Sequence, residues 1–166
     1  MSIEQIRKDI LDWSEKFVEV PHKALGGWPP CPYARRARLN NTIGIFQGTD
    51  PYYDLKVRAR HGLGQYEVVI YAYDPTEWDY NNFHASLESA NSEFLLPKNL
   101  LVLEDHPDDA EIVNGICMNQ GKYALALVQD RADLDEKAAH MFSKGFYHSW
   151  PEEYLNVLFA NRKDPR

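Results

Sequence analysis

Across residues 2–20 apolar side chains recur at steps of three and four. Ile3, Ile6, Ile10, Trp13, Phe17 and Val20 form one stripe, the periodicity of an amphipathic helix. Ser2 with Gln5 matches a capping box, and Pro21 ends the pattern. Later apolar runs are shorter. Residues 42–47, 66–73, 100–103 and 123–128 are predicted as strands, and 112–117 as a brief extended piece before a turn at Asn119-Gln120-Gly121. Asp50-Pro51 starts a helix reaching about residue 60, and a second runs from 77 to about 94 with Trp78, Phe83, Leu87, Ala90 and Phe94 on one face. Asp130 or Asp133 caps a third, to about residue 143. Pro151 opens a last one that turns Tyr154, Leu155, Leu158 and Phe159 inward. Strand, helix and strand over 66–103 make a right-handed parallel crossover the default, so Asp74-Pro75 and Asp105-His106-Pro107 should leave the same sheet edge. The pattern predicts an α+β fold: one domain over 1–166, with a small, mostly antiparallel sheet and helices on one face. Its expected topology is ferredoxin-like, with an N-terminal helical extension.

The charge and cysteine content narrow the function classes. A net charge of −7 over 166 residues argues against a nucleic-acid partner. No apolar run approaches a membrane span, and Met1-Ser2-Ile3-Glu4-Gln5 lacks the basic and apolar regions of a signal peptide. Two cysteines do not make a disulfide framework, so two free thiols in a reducing cytoplasm are expected. Aromatic residues make up 13% of the chain, enough to serve both a core and a ligand cleft.

Candidate chemistry centres on Gly26-Gly27-Trp28-Pro29-Pro30-Cys31-Pro32-Tyr33-Ala34-Arg35-Arg36-Ala37-Arg38. Pro is favoured at the first helical position, which makes Cys31 the N-cap of a short helix. Its sulfur would then face free N–H groups near three arginines and ionise readily. His106, just past a strand end, is the candidate base. Arg35 would hold an anionic group, Asp74 would orient partners, and Trp28 and Tyr33 would line the cleft. The alternative makes Cys31 a small buried residue at a helix start and His106 a loop histidine capping a backbone carbonyl. A two-histidine, one-carboxylate iron site from His106, Asp108 and His140 or His148 requires a sizeable double-stranded β-helix, with more strands than this chain shows. A magnesium site from Asp74, Asp105 and Asp108 yields to a solvated acidic loop. No metal or cofactor is expected. The turn His61-Gly62-Leu63-Gly64 lacks the third glycine and lysine of a phosphate loop.

The chain resembles a bacterial family of unknown function at Cys31-Pro32-Tyr33-Ala34, Tyr73-Asp74-Pro75, Asp79-Tyr80-Asn81-Asn82-Phe83 and Asp105-His106-Pro107-Asp108, which fall in the family's order. It departs from the family at Met118-Asn119-Gln120-Gly121-Lys122-Tyr123. The resemblance implies the layout and the pairing of Cys31 with His106, but no activity. The functional expectation is an enzyme with a cysteine–histidine polar cleft acting on a small, anionic ligand. The alternative is a non-catalytic binding or protein-interaction domain.

Overall fold

The apolar stripe of the first segment becomes α1 (Ile3–Trp13), capped by the Ser2 hydroxyl, which accepts the Gln5 N–H at 3.2 Å. The computed structural model describes all residues, Met1–Arg166. A π-helical turn, Ser14–Val18, continues α1. There follow α2 (Ala34–Leu39), β1 (Ile43–Gln47), α3 (Pro51–His61), β2 (Val68–Tyr73), α4 (Tyr80–Ala90), β3 (Leu100–Asp105), β4 (Ile112–Val113), β5 (Ile116–Cys117), β6 (Ala124–Asp130), α5 (Arg131–Ser143) and α6 (Glu152–Leu158). Asp50, Asp79 and Asp130 are side-chain N-caps, each accepting an N–H three residues on.

The sheet order is β1-β2-β6-β3. β1 pairs with β2 in parallel, and β6 pairs antiparallel with both β2 and β3. β1, β2 and β3 therefore all run one way, and Asp74-Pro75 and Asp105-His106-Pro107 leave one edge of the sheet, as the crossover implied. The α+β class and the mostly antiparallel sheet stand. The strand order, with its parallel β1–β2 pair, departs from the ferredoxin-like arrangement, because α3 spans the sheet and lets β2 lie beside β1 in the same direction.

Helices on one face is also corrected. Val68–Tyr73 is apolar at every position and nearly all buried, so both faces of the sheet need cover. Val69, Tyr71, Tyr73, Val102 and Ala126 pack on Leu55 and Ala59 of α3 and on Phe83 and Leu87 of α4. On the other face Ile45, Ile70, Ala72 and Leu125 pack on Ile6 and Ile10 of α1. Each buried valine, leucine or isoleucine among them contributes about 2 kcal/mol. A third cluster joins Leu25 and Val113 to Ala138, Met141, Phe146, Trp150, Leu155 and Phe159. No helix is long and apolar enough to cross a membrane.

Candidate functional site

Cys31 is not a helix N-cap. Ala34 N–H donates to the Cys31 carbonyl at 3.3 Å, so Pro32 and Tyr33 form a turn before α2 begins at Ala34. The N–H groups of Tyr33 and Ala34 and the Lys137 ammonium favour the thiolate, but burial dominates and pushes the Cys31 thiol up. The expected easy ionisation is thereby corrected. The arginines are occupied elsewhere or point outward. Arg38 grips Glu19 with two bonds of 2.8 and 3.0 Å, Arg36 approaches Glu67, and Arg35 is exposed without an ion pair. Trp28 stands edge-on to Phe146 at 5.8 Å and Tyr33 carries Lys137 over its ring at 5.0 Å, so both border the third cluster.

His106 is buried, with 1% exposure. Its Nε2 lies 2.8 Å from the Trp78 carbonyl and its Nδ1 accepts the Asp108 N–H at 3.1 Å. An Nδ1 that accepts puts the proton on Nε2. Both nitrogens are committed to backbone, and the ring packs on Phe83 and Tyr80. The base role is corrected to that of a brace between two loops, the carbonyl-capping alternative. Cys31 and His106 do not meet. Cys31 lies before α2, which feeds the start of β1, near Lys137 and hence Glu67 at the start of β2. His106 leaves the far end of β3, which runs parallel to β1. Asp74, at the end of β2, accepts the N–H and hydroxyl of its own neighbour Thr76 at 2.8 and 2.7 Å, bonds that lower its pKa. It closes a turn and touches neither Cys31 nor Arg35.

What does converge lies at the His106 edge. Asn114 and Gly115, both at positive φ, turn the β4–β5 hairpin, and the returning strand delivers Asn119. The Asn119 amide donates to Asp105 Oδ1 at 2.7 Å, to the His106 carbonyl at 3.1 Å and to the Asp109 carbonyl at 3.0 Å. Its oxygen accepts the Glu111 N–H at 2.7 Å. Asp105 is buried and also accepts Gln120 N–H at 2.8 Å, yet burial outweighs these bonds and raises its pKa. Glu104 is raised by burial, against the pull of His84, whose Nδ1 lies 2.8 Å from it. Glu111 is pushed up to about 7, first by burial and then by the charges of Asp105 and Asp109. Tyr154, its hydroxyl 3.4 Å from Glu111, and Tyr80 are both held protonated beyond the usual tyrosine range.

Four carboxyl groups, Glu104, Asp105, Asp109 and Glu111, thus share one edge, and no lysine or arginine appears among the charges that shift Glu104, Asp105 and Glu111. Such an edge concentrates negative potential, and a carboxyl near 7 exchanges protons at neutral pH. The carboxylates do not converge as a metal-ligand set. An open groove of about 330 Å³ lies between α3 and α4, and another of about 230 Å³ runs along β1. Neither holds Cys31 or His106. Glu111, Asn119, Tyr154 and the His84–Glu104 pair were missed in the sequence. The available signal was the acid density after a buried strand, four carboxylates within Glu104-Asp105-His106-Pro107-Asp108-Asp109 alone. The chain matches no protein-family model, no curated protein and no solved structure.

Proposed function

We propose that this protein is a non-catalytic binding domain whose acidic edge, formed by Glu104, Asp105, Asp109 and Glu111, receives a small cationic ligand such as an amine. The carrying observation is the Glu111 carboxyl, raised to about 7 by burial and by the charges of Asp105 and Asp109, with no lysine or arginine among the charges that act on it. An ammonium group placed there would relieve that repulsion, so binding would draw a proton off Glu111. The motif order of Cys31-Pro32-Tyr33-Ala34, Tyr73-Asp74-Pro75 and Asp105-His106-Pro107 supports kinship with the bacterial family of unknown function. Two free thiols support a reducing, cytoplasmic setting.

Calorimetry with spermidine at pH 7, in two buffers of different ionisation heat, tests the proposal. Binding with proton release that disappears in Glu111→Gln is the expected result. Absence of heat, or binding that is unchanged in Glu111→Gln and releases as many protons, would overturn it. An enzymatic reading rests on the same carboxyl, since a group near 7 beside the Tyr154 hydroxyl is suited to proton transfer. It replaces, and does not extend, the Cys31–His106 pair.

A further inference from the structure

The two edges of the sheet are finished differently. At the β3 edge, buried Asn91 caps the middle rung: its amide donates to the Val102 carbonyl at 3.1 Å and its oxygen accepts the Val102 N–H at 2.9 Å. An asparagine side chain thereby stands in for a neighbouring strand. At the β1 edge nothing does this. Val68 N–H donates to the Thr42 carbonyl and Gly48 N–H to the Ala72 carbonyl. Those two bonds fix the phase of the parallel ladder, so the even-numbered residues of β1 bond to β2. The N–H and C=O groups of Ile43, Ile45 and Gln47 point away from β2, and no other hydrogen bond reaches them.

Beside this open edge runs the groove of about 230 Å³. One wall is Arg7 and Leu11 of α1, the other Gln65 and Tyr66, whose ring covers Gly44. No carboxylate lines it, and the exposed Arg7 guanidinium has no ion-pair partner, although acidic residues outnumber basic ones by 25 to 18 in the chain. β1 itself carries no charge and no proline, the usual guards of a free edge.

We infer that β1 accepts an extended acidic segment of a partner protein as a fifth strand, its backbone bonded to Ile43, Ile45 and Gln47 and a carboxylate set against Arg7. Main-chain bonds give such a strand its affinity, and alternate side chains give it selectivity. On the α1 side the segment meets Leu11 and Arg7, which favours an apolar residue followed two positions on by an acid. On the other side it meets Tyr66.

The test uses an eight-residue peptide repeating Val-Val-Glu-Glu, which sets valine and glutamate two positions apart on each face, a copy N-methylated at alternate backbone nitrogens, and a copy with lysine for glutamate. Amide exchange and NMR shifts report on the full-length protein. Expected are slowed exchange at Ile43, Ile45 and Gln47 with the acidic peptide, at least tenfold weaker binding of the N-methylated copy, and reversed preference for the lysine copy in Arg7→Glu. Gln47→Pro, which removes an outward N–H at the exposed end of β1 and leaves the β2 ladder intact, should weaken binding several-fold. Equal binding of the N-methylated copy, or no peptide binding by folded protein, would overturn the inference. So would protection of the same amides without peptide in a concentration-dependent dimer, which would make a second copy of the chain the occupant.

Discussion

Tyr154 donates its hydroxyl to Glu111 Oε2 over 3.4 Å, the one hydrogen bond that the Glu111 carboxyl receives. That single, long bond is too weak to offset burial among like charges, so Glu111 titrates at about 7. A carboxyl whose folded pKa is raised above its unfolded value stabilises the fold fully below the unfolded value, and that contribution is lost as pH rises through about 7. Asp105 and Glu104 shift in the same direction. Denaturant unfolding between pH 5 and pH 8 should therefore show stability falling with pH. Glu111→Gln should flatten the profile and add about 2 kcal/mol at pH 8, a figure discounted for partial solvent screening. A profile with the same slope in the variant would contradict this assignment.

Asn119 ties four groups of this edge together. Asn119→Ala should cost about 3 kcal/mol by leaving buried partners unpaired. Asn119→Asp should be worse at pH 8 than at pH 5, because it sets a second carboxylate on Asp105. Chemical denaturation of both variants at the two pH values decides this, and equal losses at both would remove the repulsion.

His106→Ala should destabilise by about 3 kcal/mol through a cavity and two unpaired backbone groups. It should leave the alkylation rate of Cys31 unchanged. A base partnered with the thiol would instead slow that rate when removed, so one kinetic measurement on folded variant protein separates brace from base.

The two thiols should differ. Cys117 is exposed, whereas burial holds the Cys31 thiol neutral. Iodoacetamide at pH 7 should modify Cys117 first and Cys31 at least tenfold more slowly until denaturant is added, with peptide mapping identifying each site. Faster labelling of Cys31 would restore it as a reactive centre.

Local chemistry is what the sequence makes legible. The stripe of α1, the caps at Ser2 and Asp50 and the three strong strands follow from periodicity and capping residues alone. The parallel β1–β2 pairing and the placement of α1 on its own sheet face were not legible, because both depend on which surfaces meet in three dimensions. Val68–Tyr73 does hold the clue: a strand apolar at every position asks for cover on both sides. The site went further astray. Cys31 and His106 each have a chemistry-bearing neighbourhood in the sequence, but opposite ends of parallel strands separate them. Glu111 is an ordinary acid in the chain, and only burial beside Asp105 and Asp109 in the folded protein turns it into an unusual one.

The most direct measurement is the side-chain carboxyl titration of Glu111 by carbon-13 NMR, with and without spermidine. The account predicts a midpoint near 7 in the free protein and a fall of about one unit or more when the amine is present. A free-protein midpoint at the ordinary glutamate value, unmoved by the amine, would contradict it.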